Sequence, residues 1–146
     1  MWIKICGLTT AKTAHYCAVS GADAIGFVFA ASKRKIAVTA ARQIIEGLPP
    51  ALEKVGVFVN APHQEVAEIQ HYLDLDVLQF HGAESPEYCS WFHSKVIKAF
   101  RISSAQDLLA IESYRGKIWA CLLDSHIIGS DGGTGKPWDW SLFKTN

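Results

Sequence analysis

Polar side chains that can take part in chemistry follow short apolar runs along this 146-residue chain. In chain order they are Cys6, Arg34, Asn60, His81, Arg101 and Asp124. A thiol, an imidazole and a carboxyl group can each transfer a proton in a reaction. Whether these groups can act on one molecule depends on the elements that carry them.

The apolar runs predict strands that are buried on both faces. They are nearly continuous rather than alternating and rich in Val, Ile, Phe and Trp, as in a parallel sheet. We predict strands over residues 2–6, 24–29, 54–59, 76–80, 96–100 and 118–123. Amphipathic stretches predict helices over 10–20, 39–46, 62–73 and 104–114, and a further helix that begins at Ser85-Pro86.

Repeated strand–helix units, spaced by roughly 20 to 30 residues, fit two α/β architectures. One is a doubly wound open sheet, and the other is a TIM-type (β/α) barrel. In a barrel the carboxyl ends of all strands meet at one mouth, whereas in an open sheet they spread along a line. Because nearly every predicted strand ends in a polar residue, the sequence favours the barrel.

Composition narrows the class of protein. Fourteen basic and fourteen acidic residues give a formal net charge of zero, which argues against a nucleic-acid-binding surface. With 49% hydrophobic and 19% charged residues, we expect one globular domain over residues 1–146. The N-terminus does not resemble a signal peptide, and no apolar run is long enough to span a membrane. Four dispersed cysteines predict reduced thiols in the cytoplasm.

Several motifs, in order, resemble the phosphoribosylanthranilate isomerase family. They are Lys-Ile-Cys-Gly-Leu-Thr at 4–9, Gly-Ala-Asp-Ala-Ile-Gly-Phe-Val-Phe at 21–29, Val-Gly-Val-Phe-Val-Asn at 55–60, Gln-Phe-His-Gly at 79–82 and Leu-Leu-Asp-Ser at 122–125. Gly-Gly-Thr-Gly-Lys at 132–136 and Trp-Asp-Trp at 138–140 continue the resemblance. It implies a small (β/α)8 barrel that catalyses an Amadori rearrangement in tryptophan biosynthesis, with no metal or organic cofactor.

The resemblance implies that Cys6 is the general base and Asp124 the general acid. By residue type alone, a free cysteine is most often a buried core thiol, and an aspartate can simply cap a loop or pair with a lysine. An acid that donates at neutral pH must stay protonated, so we expect burial or a negative neighbour around Asp124. We expect Cys17, Cys89 and Cys121 to be core residues.

The remaining implied contacts are with the substrate. Arg34 would hold the anthranilate carboxylate, although Lys33 stands where the family commonly has proline. His81 would also contact the substrate. The loop that contains Gly132 and Gly133 lacks the ending of a nucleotide-binding P-loop and is expected to fold over the substrate.

Compared with the family, the sequence lacks the last two strand–helix units and their phosphate site. About six of eight units would leave an incomplete barrel with two open edges, which could pair with a second copy of the chain. Besides an isomerase, two alternatives therefore stay open. One is a non-catalytic barrel fragment that acts as an assembly or folding module, and the other is a small-molecule binder without chemistry.

Overall fold

Six parallel strands and the helices between them form the part of the chain that the computed structural model describes, residues 1–102 and 104–125. The strands are β1 Lys4–Cys6, β2 Ala24–Val28, β3 Glu53–Phe58, β4 Val77–Phe80, β5 Lys95–Ile102 and β6 Ala120–Ser125. The helices are α1 Ala11–Val19, α2 Val38–Ile45, α3 His63–Leu73, α4 Pro86–Ser90 and α5 Ala105–Leu109. All six predicted strands are confirmed, with a helix in each connection.

The strand order decides between the two predicted architectures. Each strand pairs in parallel with the next along the chain, in the order β1-β2-β3-β4-β5-β6. A doubly wound sheet would reverse this order at a switch point, so that alternative is excluded. The TIM-type (β/α) arrangement is confirmed, and β1 and β6 are the edges of the described sheet.

Apolar side chains cover both faces of the sheet. On the outer face, residues such as Phe27 and Phe80 pack with helix residues such as Val66 and Leu73. On the inner face, a second cluster joins side chains from successive strands: Ala24, Val55, Val77 and Ile97, with Ala120 and Leu122 against them. Two apolar faces explain why the strands are continuous apolar runs in the sequence.

The two edges of the sheet approach each other at its amino end. Trp2, just before β1, packs edge-to-face on Trp119, just before β6, with ring centroids 5.5 Å apart. The Trp2 indole donates a hydrogen bond to Glu53 at 2.8 Å, and Lys95 forms an ion pair with the same carboxylate. Contact between the flanks of the first and last strands requires a curled sheet, as in a barrel.

Capping residues in the sequence predict where helices begin, but the end of the last predicted helix differs from the structure. The side chains of Thr10 and Ser85 cap α1 and α4 by accepting hydrogen bonds from backbone N–H groups in the first turn. The helix predicted over 104–114 is α-helical only to Leu109 and continues as a 3-10 helix, Ala110–Tyr114. In that tighter turn Tyr114 donates its hydroxyl to the backbone oxygen of Glu84. No helix in the described ranges has the length and hydropathy needed to cross a membrane.

Candidate active site

A cavity of about 600 Å³ brings together the predicted site residues that the structure describes. Cys6, Arg34, His81 and Asp124 all line it, near the carboxyl ends of their strands. In a flat sheet, β1 and β6 would lie about 24 Å apart, at about 4.8 Å per strand. Their sharing of one cavity is therefore a consequence of the curl. Gly132 and Gly133, predicted to bind substrate, lie outside the described residues.

Cys6 is the last residue of β1 and lies directly opposite Gly26 of β2. A Cβ atom at Gly26 would lie only 2.9 Å from the Cys6 sulfur, so a glycine there leaves room for the thiol. The Lys4 ammonium lies 3.4 Å from the same point. The thiol and a cation therefore flank one position on the inner face of the sheet.

Arg34 is anchored against the end of β1. Its guanidinium Nη1 donates to the backbone oxygen of Cys6 at 3.2 Å, and its backbone N–H donates to the Ser32 hydroxyl. The Arg34 side chain lies across Gly7, whose φ is +81°, and a Cβ atom there would come within 2.6 Å of Arg34 Cδ. This packing holds the guanidinium at the mouth of the cavity.

His81 and Asp124 form a hydrogen-bonded pair across three strands. The ring Nε2 of His81 lies 3.3 Å from Asp124 Oδ2, and the two side chains are 24% and 41% exposed. Among the described residues, the burial or negative neighbour expected for Asp124 is not found. Its carboxylate is partly open to the cavity, and the neighbour that the curled sheet supplies is an imidazole.

A buried ion pair fixes the loop that follows His81. Lys98 and Glu84 are 3% and 2% exposed, with Nζ and Oε2 3.3 Å apart. The Glu84 carboxylate accepts hydrogen bonds from the backbone N–H groups of Asn60 and Gly82, and the Lys98 ammonium donates one to the backbone oxygen of Gly82. The two charges thus tie the loops after β3 and β4 to the outer face of β5.

Two polar cavity residues, Lys4 and Gln79, were not predicted, and Arg101 was expected at a strand end without an assigned role. Lys4 and Gln79 lie two residues before Cys6 and His81, and alternate residues of a strand share a face. Arg101 pairs in register with Asp124. The period-two pattern could have identified Lys4 and Gln79, whereas the position of Arg101 beside Asp124 depends on the register of β5 on β6.

The other cysteines have different environments. Cys89 is fully buried, as predicted, and burial raises the pKa of its thiol to about 11. Cys17 is half-buried against the outer core. The prediction of a core role is wrong for Cys121, which is exposed. Within residues 1–102 and 104–125, no group of three or more His, Cys, Asp or Glu side chains is placed to hold a metal ion.

The fold and the cavity define a class of protein. A curled parallel sheet with helices outside it and ionisable side chains at the carboxyl ends of its strands is the arrangement of (β/α)-barrel enzymes, whose active sites lie at that end. Thiol, imidazole, carboxyl and guanidinium groups converge here from β1, β2, β4 and β6 or the loops after them.

Comparison with known proteins identifies the family within that class. The family model for N-(5'-phosphoribosyl)anthranilate (PRA) isomerase matches residues 3–146, and the chain belongs to this family. It is 47% identical over 145 residues to the N-(5'-phosphoribosyl)anthranilate isomerase of Desulforudis audaxviator, covering 98% of this chain and 70% of the relative.

Solved structures of the family show the same fold. The phosphoribosyl anthranilate isomerase of Thermotoga maritima is 40% identical, with a TM-score of 0.89, over 97% of this chain and 69% of that one. A second structure holds reduced 1-(o-carboxyphenylamino)-1-deoxyribulose 5-phosphate; it is 39% identical, with a TM-score of 0.81, over 86% of this chain and 66% of that one. The chain thus spans 66–70% of the length of these three relatives.

Proposed function

We propose that this chain isomerises N-(5'-phosphoribosyl)anthranilate to 1-(2-carboxyphenylamino)-1-deoxyribulose 5-phosphate, in tryptophan biosynthesis. Membership of the family supports the reaction, and a solved relative binds a reduced form of this product. The observation that carries the proposal is the single cavity shared by Cys6 and Asp124, which come from opposite edges of the sheet. A biosynthetic enzyme with free thiols would work in the cytoplasm, where thiols stay reduced.

The first two steps each need one proton transfer. Asp124 gives its proton to the furanose ring oxygen as the bond from that oxygen to C1 breaks, which produces a Schiff base. The Cys6 thiolate then removes the proton from C2, and the electron pair of that C–H bond forms an enolamine. The enolamine tautomerises to the ketone product as its C2 hydroxyl gives up a proton and C1 gains one, which restores the acid form of Asp124 and the thiolate of Cys6. A positioned acid or base of this kind contributes on the order of 10²–10⁴ in rate.

Three cavity residues support those transfers in this proposal. The Lys4 ammonium and the Cys6 sulfur both lie within 3.4 Å of the Cβ position of Gly26, so the ammonium can pair with the thiolate. Arg34 uses one guanidinium nitrogen to hold the backbone of Cys6, and its other edge is available for the anthranilate carboxylate. His81 contacts Asp124 and faces the same space. Gly132 and Gly133 are proposed to cover the bound substrate.

The test follows the decay of substrate fluorescence with the wild-type chain, Cys6→Ser and Asp124→Asn. Each variant should lose at least a hundredfold in kcat. Cys121→Ser and Asp74→Asn are matched controls, because they make the same changes at exposed residues that do not line the cavity. Equal rates in the wild type and both cavity variants would refute the assignment of acid and base.

The same assay, together with a measurement of product-analogue binding, separates isomerisation from the two alternatives. A small-molecule binder would bind the product analogue without turnover, and Cys6→Ser would bind it equally well. A non-catalytic module would do neither. We further propose that β1 and β6, the edge strands of the described sheet, join a second copy of the chain, which light scattering would detect as a doubled mass.

A further inference from the structure

A glutamine occupies a position in β4 where its neighbours are apolar. Gln79 is 2% exposed, and its register partners on the adjoining strands are Val57 and Ile97. An aliphatic side chain would suit such a position better, because a buried amide must recover the hydrogen bonds it loses to water. Gln79 lines the cavity that holds Cys6 and Asp124. Its polarity therefore needs an explanation other than packing.

Only one end of the Gln79 amide is satisfied in the described part of the chain. Its Nε2 atom lies 3.3 Å from the Nδ1 atom of His81. Its buried Oε1 atom has no hydrogen-bond partner there. Leaving a buried acceptor unpaired is destabilising. The hydrogen bond to His81 is therefore kept even though the unpaired Oε1 atom destabilises the fold.

The orientation of the Gln79 amide determines which tautomer of His81 fits it. The amide nitrogen faces Nδ1 and can only donate, so in a neutral ring Nδ1 accepts. The single hydrogen of the neutral ring then lies on Nε2, which is 3.3 Å from Asp124 Oδ2. The three side chains form one directed chain of donors, from Gln79 through His81 to Asp124.

We propose that Gln79 is a positioning residue that holds His81 as the Nε2–H tautomer. This role rests on the proposed function, in which Asp124 gives up a proton and becomes negatively charged. An Nε2–H group donates to that new charge, whereas the other tautomer would present a lone pair to it. Gln79 takes no part in the proton transfers of Asp124 and Cys6, and it affects the reaction only through His81.

The direct test is ¹⁵N NMR of the histidine rings in the full 146-residue chain, with His81→Asn used to assign the His81 signals. The wild type should show a protonated Nε2 and an unprotonated Nδ1. Gln79→Glu replaces the donor by an acceptor, so a proton should appear on Nδ1. Gln64→Met is the control, because Gln64 is exposed on α3 and donates to Glu68, away from His81. A wild-type ring protonated on Nδ1, or one unchanged by Gln79→Glu, would overturn the proposal.

Kinetics add a readout that distinguishes this proposal from the proposed function. Gln79→Met should lower kcat about tenfold, the size of one hydrogen bond, with KM within about twofold. If the wild type shows the Nε2–H tautomer and Gln79→Glu moves the proton, but the wild type has no turnover, the proposed function fails while the control of the His81 tautomer by Gln79 stands. If the wild type turns over and Gln79→Met keeps full kcat, the positioning role fails by itself.

Discussion

Removing the charge of Lys98 should destabilise the fold far more than removing an exposed lysine. In Lys98→Met the aliphatic volume is nearly kept, but Glu84 is left as a buried carboxylate without its cation. Breaking a buried pair in this way costs about 3–5 kcal/mol, because the remaining charge has no water to solvate it. For a domain of this length, that loss lowers Tm by roughly 10 °C or more.

Circular dichroism during thermal unfolding measures this effect. Lys117→Met is the matched control: it makes the same change in an exposed ion pair with Glu87 and should leave Tm nearly unchanged. In the double variant Lys98→Met, Glu84→Gln, part of the loss should be recovered, since no lone charge remains. If Lys98→Met and Lys117→Met unfold at the same temperature, the reasoning about buried charge is wrong.

Two further predictions concern the site loop and the core. Gly7→Ala should lower the free energy of unfolding by about 2–3 kcal/mol in urea titrations, because alanine is strained at the positive φ and its Cβ would clash with Arg34 Cδ. Gly21→Ala, with a positive φ but open space around it, should lose only about 1 kcal/mol. Equal losses would contradict the packing argument. At pH 8, well below the pKa of about 11 of the buried Cys89 thiol, Cys89 should be alkylated more slowly than the exposed Cys121, although partial burial also raises the pKa of Cys121. Mass spectrometry of the peptides measures both rates, and equal labelling of the two cysteines would contradict protection by burial.

The strands were predictable because their residues meet apolar surroundings on both sides. Within β4, Val77 belongs to the inner cluster and its neighbour Leu78 to the outer one, so both positions are apolar. Helix caps such as Ser85 also depend on nearby residues, since Ser85 accepts a hydrogen bond from the backbone N–H of Tyr88, three positions later. Both features depend on short stretches of sequence, which is why they can be recognised there.

The surroundings of the site residues were not predictable in the same way. The partner of Asp124 is His81, 43 positions earlier, and only the register and curl of the sheet bring them together. Lys98 lies in an apolar run with no acid nearby in that run, and Glu84 comes from a different loop. The sequence therefore indicates which residue types lie at the strand ends, and the tertiary fold decides which of them meet.

The most direct test of the account is a crystal structure of this chain with the reduced product analogue. The account predicts that the sugar carbons C1 and C2 lie between the Cys6 sulfur and the Asp124 carboxylate, with the carboxyphenyl group at Arg34. An analogue bound elsewhere, or Cys6 and Asp124 on opposite faces of an open sheet, would contradict it.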